Sequence, residues 1–368
     1  MKRTYVWTLP TRLFHWLFAA LIVASWVSTS EDRWLDIHAA LGSAVGALLF
    51  FRIVWGGMGP KYSRFGDFDF RITALKEYLR GLFDSSRRPL GHNPAASYVM
   101  AAILMTAALA VFSGMLAYGI QENRGVLAFL HTIGYQEMEV FEEIHEFFVN
   151  LLWVLIAAHV MGVMVDRLLH PQDKTLTSII DGHKNIEGDN AVLSWPQKMV
   201  AIVGIGGTVA LLVYSLSVPD NPLVASHNEK IDYTRESPVF ANECGSCHTL
   251  YPPSLLPRES WGKLMANLSD HFGDDASLDP ADHRTVSEYL YEHSSERSTQ
   301  EMSVKMMKSL QNRDMIAMTQ TPFWKETHKN IPPEAFKSGN VKSRANCNAC
   351  HGDVEQGLIE DSAIKPIR

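Results

Sequence analysis

No cysteine occurs in the first 243 residues of this 368-residue chain. That absence excludes disulfides, thiolate metal sites and thioether-linked groups from two thirds of the protein. Charge is almost missing from five long apolar runs before residue 219, and the last of them, Met199 to Val218, carries none. Runs of about 20 apolar residues match the thickness of a bilayer and not the half-buried helices of a soluble domain. A basic excess is also lacking: the net charge is -7, which removes the reason to expect a nucleic-acid partner. There is no repeat of solenoid period and no long low-complexity tract.

What is present divides near Pro219. Up to about Val218 the apolar runs are Leu13–Val27, Ile37–Met58, Ala95–Gly119, the body of Glu142–His170, and Met199–Val218. After Pro219 the chain is polar and holds all four cysteines. The start, Met-Lys-Arg before an apolar stretch, has the form of a signal peptide. Against cleavage stand His15 and Trp16 within the run, no small-x-small site after it, and four further runs. We read it as the first of five transmembrane helices. Pro94 suits the first turn of the third. The fifth contains Gly204, Gly206 and Gly207 and is expected to be a plain anchor, with close helix packing as the alternative.

The loops set an orientation. Residues 59–91 carry Lys61, Arg64, Arg71, Lys76, Arg80, Arg87 and Arg88. The loop between the first two runs offers Glu31, Asp32, Arg33 and Asp36, and the loop before the fourth sets Arg124 against Glu122, Glu137 and Glu139. The positive-inside rule places the N-terminus and residues 59–91 in the cytoplasm. Five spans then bring the C-terminal segment out on the periplasmic face.

The fourth run organises the rest. His145 and His159 are 14 residues apart, so their side chains leave nearly the same helix face, about 40° short of four turns and about 21 Å apart along the axis. One helix thus offers an imidazole near each membrane surface. His15 in the first run lies near the cytoplasmic surface, and His38 at the start of the second near the periplasmic one. Depth therefore pairs His38 with His145 and His15 with His159. Ionisable residues inside a membrane mark function by default, and the two pairs have the character of axial ligands of two stacked b haems. Arg52 is expected to snorkel to the cytoplasmic headgroups, with contact to a haem propionate as the alternative. His92, His131, His170 and His183 are loop histidines with no assigned role.

The cysteines form two C-x-x-C pairs, Cys244/Cys247 and Cys347/Cys350, each followed at once by a histidine, His248 and His351. A zinc ribbon spaces its pairs about 15–20 residues apart, whereas these are some hundred apart. Two C-x-x-C-H motifs, with no other cysteine and a periplasmic location, specify covalent c-type haem. The residues leave the sixth ligands open: His271, His283, His293 or Met265 for the first haem, and His328, Met315 or Met318 for the second. The methionines of 302–318 recur at near-helical spacing and suit a packing face. Residues 239–301 hold four basic and eleven acidic side chains, and 302–368 hold ten and seven; the acidic lobe could dock a basic partner.

The stretches YVWTLPTRLFHWLF, DIHAALG and GHNP, with the His145–His159 spacing, resemble the bacterial di-haem cytochrome b561 family, itself similar to hydrogenase b-type cytochrome subunits. The resemblance covers roughly residues 4–185 and implies a four-helix bundle with two bis-histidine b haems that exchanges electrons with quinone. ESWGKLMANLSDHFGDDASL and TPFWKETHKNIP resemble the di-haem cytochrome c family over about 239–368. That resemblance implies His271 as sixth ligand of the first c haem and His328 of the second, leaving His283 and His293 to surface positions.

The expectation is an all-α protein of the bacterial inner membrane. Residues 1–190 form a di-haem b bundle, 191–218 a fifth transmembrane helix, 219–238 a linker, and 239–368 a small, mostly helical periplasmic di-haem c domain. Two non-covalent b haems and two covalent c haems would link membrane quinone to a soluble periplasmic electron-transfer protein or dehydrogenase. The alternatives are a cytochrome subunit of a hydrogenase or dehydrogenase complex and a superoxide:quinone oxidoreductase. Quinol oxidation or quinone reduction is the activity in question, and a homodimer is one compatible assembly.

Overall fold

Each apolar run is a helix whose ends are marked by local chemistry. The computed structural model describes residues 3–81, 89–311, 313 and 315–366. Arg87 and Arg88, which entered the charge argument, lie outside the described residues, as do the outermost residues of the first and last expected domains.

Helix α1 spans Leu9–Val27 with Pro10 in its first turn, where the missing N–H costs nothing. Helix α2 spans Leu35–Met58. Helix α3, Pro94–Gln121, begins at its proline, and the Asn93 side chain accepts the Ala96 N–H at 2.7 Å as a cap. Helix α4 is Met138–Leu169. Helix α5, Trp195–Ser217, starts from a capping box in which Gln197 reaches back to the Ser194 N–H at 2.9 Å. All five are long and apolar enough to cross a membrane. A shorter helix, Ile72–Arg80, lies in the basic loop.

The chain forms two compact units that do not follow the linear order. The first comprises Met1–Ser30, Ile37–Leu116 and Val140–Val224. Its interior is apolar, with Phe14, Ala44, Leu48, Phe51 and Trp55 buried. Large apolar side chains also face outward, among them Phe50, Met105, Val154 and Val203. A surface of that kind suits lipid, where a helix satisfies its own backbone and needs no polar exterior. Strands β1 (Thr4–Tyr5) and β2 (His183–Lys184) pair antiparallel, Thr4 opposite Lys184, and tie the chain start to the segment after α4. Helix α5 packs closely: a Cβ on Gly204 would fall 2.3 Å from the Phe51 ring, whereas Gly206 and Gly207 face open space. The plain-anchor expectation therefore gives way at Gly204. Arg52 departs from expectation too. It is 4% exposed, with its guanidinium 4.6 Å from the Phe65 ring and 5.9 Å from Phe14, so it does not snorkel.

The second unit joins Ala225–Arg368 to two pieces from between the spans, Glu31–Asp36 and Ala117–Glu139. Arg124, 5% exposed, holds Asp36 at 2.8 Å and Glu360 at 2.6 Å. The Tyr118 hydroxyl donates to Asp36 at 2.7 Å, and Asn228 donates to Glu360 at 2.9 Å. His131, expected to be an idle loop residue, is buried between the Ile120 carbonyl at 2.6 Å and the Thr299 hydroxyl at 2.8 Å. The rest of the unit is short helices: α6 (Pro238–Cys244), α7 (Arg258–Met265), α8 (Pro280–Glu292), α9 (Glu301–Ser309) and α10 (Pro322–Thr327). They enclose a small core of Phe240, Leu256, Trp261, Val286, Leu290 and Met306.

Candidate functional site

Four histidine pairs share one ring separation, while the angles between their planes run from 17° to 84°. Ring centres are 6.4 Å apart for His15–His159, 6.2 Å for His38–His145, 6.2 Å for His248–His271 and 6.1 Å for His328–His351. Two imidazoles binding one metal from opposite sides, at about 2 Å each, hold their centres about 6 Å apart. The spacing leaves room for an ion between the rings and is too wide for a direct imidazole hydrogen bond. Among the described residues no group of three or more His, Cys, Asp or Glu could hold a metal. Each pair therefore suits a metal that brings its equatorial ligands with it, as haem does.

Local structure aims the rings. His38, in the first turns of α2, donates from Nδ1 to the Ser25 carbonyl at 2.9 Å, with the Ser28 hydroxyl at 3.1 Å. His145 on α4 donates from Nδ1 to the Ala110 carbonyl of α3 at 2.9 Å, with Ser113 Oγ at 3.3 Å. A carbonyl acceptor fixes the Nδ1–H tautomer and leaves the Nε2 lone pair for a metal. Gly114 makes room for this: a Cβ there would lie 2.8 Å from the His145 ring. At the other end, His15 on α1 has a buried Nδ1 without a protein partner, and its ring meets Trp16 edge-on at 5.0 Å.

In the second unit Cys244 closes α6 and His248 follows, its Nδ1 donating to the Thr249 carbonyl at 2.7 Å. Its ring stacks on Tyr251 at 4.9 Å and lies nearly parallel to His271. Helix α10 positions the other pair: His328 ends it, donates from Nδ1 to the Trp324 carbonyl at 2.8 Å and stacks on the Trp324 ring at 4.4 Å. His351 has a buried Nδ1 without a protein partner. Burial, reinforced by His328 beside it, pushes its pKa down to about 4. Burial likewise lowers His328, and lowers His271 with help from His248. A neutral imidazole is the ligating form. Burial raises the Cys244 and Cys347 thiols to about 11, the reverse of the depressed thiol that a redox dithiol uses. All four cysteines are free of disulfides.

The two C-x-x-C-H segments are neighbours despite their separation in sequence. Thr249 donates to the Asn346 side chain at 3.2 Å, and the Tyr251 hydroxyl donates to the Ala345 carbonyl at 2.6 Å. The remaining ligand candidates are engaged elsewhere. His283 Nε2 bonds the Met265 carbonyl at 3.0 Å, and His293 bonds the Tyr289 carbonyl at 2.9 Å and meets Glu236 at 3.5 Å. Both are half-buried. Met265 and Met318 are core residues, and Met315 packs against them. The Ala110 and Ser25 carbonyls and Gly114 escaped the sequence reading, because a backbone acceptor has no residue signature.

Comparison with known proteins matches two separate stretches of the chain. Residues 6–182 match the family model of prokaryotic cytochrome b561, and residues 240–359 that of dihaem cytochrome c. A curated relative from Escherichia coli strain K12, a probable Ni/Fe-hydrogenase 1 B-type cytochrome subunit, is 22% identical over 218 residues, 49% of this chain and 90% of the relative. A dihaem cytochrome c from Rhodobacter sphaeroides is 34% identical, covering 33% of this chain and 95% of that one, with a TM-score of 0.30. One from Shewanella baltica is 30% identical, covering 37% of this chain and 94% of that one, with a TM-score of 0.29. The mainly helical chain, with its five membrane-length helices, is a membrane electron-transfer cytochrome that joins a prokaryotic cytochrome b561 segment to a dihaem cytochrome c segment.

Proposed function

We propose that the chain carries four haems and passes electrons between membrane quinone and a soluble periplasmic redox partner. One observation carries the reading: the common separation of 6.1 to 6.4 Å in all four histidine pairs. In this assignment His15 and His159 hold a b haem at the cytoplasmic side, and His38 and His145 hold one at the periplasmic side. Cys244 and Cys247 anchor the first c haem between His248 and His271; Cys347 and Cys350 anchor the second between His351 and His328. When bound, haem supplies one-electron chemistry at its iron. The polypeptide supplies the rest. Each pair of imidazoles would hold its metal from both sides and leave it no open site, which favours electron carriage over oxygen activation. Thioether cysteines fix the periplasmic groups, and apolar burial tunes potentials. The domain division 1–190, 191–218, 219–238 and 239–368, in the bacterial inner membrane with the N-terminus cytoplasmic, belongs to the same proposal. So do the b-to-c order of transfer and the docking of a basic partner on the acidic lobe.

The test is anaerobic mixing of oxidised protein with a quinol while b and c absorption bands are followed separately. The expected result is reduction of b first and c after it. If a chemical reductant reduces both while quinol reduces neither, the quinol-donor route fails. A second reading, a cytochrome subunit of a hydrogenase or other dehydrogenase complex, draws on the similarity to the Escherichia coli subunit. It requires a stable complex on copurification and electron flow towards quinone.

A further inference from the structure

Arg52 is the least accommodated charge in the first unit. It is 4% exposed, its Nη1 is buried without a hydrogen-bond partner, and among the described residues it forms no ion pair. Aromatic faces surround it instead, Phe65 at 4.6 Å, Phe14 at 5.9 Å and Phe68 at 6.0 Å. An always-charged guanidinium inside a membrane span requires an anionic or strongly polar partner. Ring faces alone do not use its five donors.

Two further side chains converge on the same place. Lys184, 4% exposed, donates to the Gly91 carbonyl at 3.2 Å and lies 5.8 Å from the Trp7 ring. His92 is enclosed by Trp7 at 4.9 Å and Phe68 at 4.7 Å, and its buried Nδ1 has no partner. The groups that face His92 electrostatically are Lys184, Arg52 and His159, all basic. Asp166 and Asp173 face Lys184, and Asp166 also meets His170 at 3.4 Å.

Helix register places this cluster. Arg52 follows His38 by 14 residues on α2, as His159 follows His145 by 14 on α4. Both steps cover about 21 Å and return to nearly the same helix face. His38 and His145 pair, so Arg52 stands at the depth of His159, and the Phe14 it touches is the neighbour of His15. A lipid phosphate is a poor occupant, because the guanidinium is closed off from the surface. A carboxylate arriving on an internal group fits, and the guanidinium fork matches it in two-point fashion.

The geometry points to a buried anion cradle, Arg52 with Lys184 and His92, that receives the propionate carboxylates of the haem held between His15 and His159. This rests on the four-haem reading, which fails by itself if the unaltered protein lacks two b components. The experiment is a potentiometric titration of the purified full chain with b and c bands resolved, comparing Arg52→Gln and Arg52→Lys. Loss of the positive charge disfavours the electron on the nearby iron. Arg52→Gln should lower one b midpoint by about 59 mV, a tenfold shift in that haem's reduced-to-oxidised ratio. The other b component and both c components should stay in place, and Arg52→Lys should restore most of the shift. Unchanged midpoints in an Arg52→Gln protein with full haem content overturn the cradle, as do equal shifts in the two variants. If Arg52→Gln loses one b haem, retention in Arg52→Lys supports the cradle and equal loss in both overturns it.

Discussion

A single missing methyl group governs one of the histidines. The His145 ring lies so close to α3 that a Cβ at Gly114 would sit 2.8 Å from its Cε1, a distance side chains do not tolerate. Gly114→Ala must therefore push the ring or move α3 away, and the Nδ1 bond to the Ala110 carbonyl stretches in either case. Disturbing the orientation of a ligating imidazole weakens metal retention by about tenfold or more. The expected outcome is a selective loss or spectral change of one b component, read from pyridine haemochromogen content and low-temperature b bands, with c content unchanged. A Gly114→Ala protein with an unaltered b spectrum would show that the ring has space. At this scale the sequence was legible where residue type carries the signal: the histidines stand out because imidazole is rare in apolar runs. Arg52 was legible as a charge but not as a buried one, because exposure depends on what packs around α2. The carbonyls that aim His38 and His145 left no trace at all.

Among the elements, the connections between spans matter as much as the spans. Glu31–Asp36 and Ala117–Glu139 group with the C-terminal segment, and Arg124 bridges Asp36 and Glu360 at their junction. Sequence patterning exposed the five long helices, whose apolar runs dominate any window. It could not expose this grouping, which depends on single long-range ion pairs, nor the many one-turn helices after Pro219, which have no periodicity to detect. One acid in this unit is held at a disadvantage. Burial pushes Asp361 up to about 7 from an ordinary 3.8, with Glu301 and Asp32 adding to the effect and Lys305 opposing it. Its folded pKa lies above its unfolded one, so the native state binds more protons between the two values. Stability from this group falls as pH rises through that window, and the penalty is complete above it. Asp361→Asn removes the penalty. Allowing for relaxation of a coupled site, the gain at pH 8 should be on the order of 1 to 2 kcal/mol. For a unit of this size that raises Tm by about 3 to 6 °C, measured by thermal unfolding in detergent. The advantage should shrink towards pH 4. A gain equal at both pH values, or a loss at pH 8, would sink this account.

For the molecule as a whole, the two halves differ in how they would keep their iron. In the proposed assignment the histidines on α1, α2 and α4 would hold their groups by coordination and burial only, while the second unit offers four free thiols in two C-x-x-C-H motifs. The C-terminal core is small and built around Phe240, Trp261 and Leu290, so covalent groups packed between His248, Tyr251, Trp324 and His351 would supply much of its interior. Acidic acetone extracts non-covalent haem and leaves thioether-linked haem on the protein. Extraction of the purified chain should release half of the total haem, as b, and retain half, as c. In Cys347→Ser/Cys350→Ser the haem retained per protein should fall by half while the haem extracted per protein stays constant. The same variant should show faster proteolysis of residues after Pro219, because the unit loses an internal packing partner that no side chain replaces. An extractable fraction clearly different from one half would overturn the count of two and two. A variant with undiminished c content would remove the second motif from the scheme, whatever the spacing of His328 and His351.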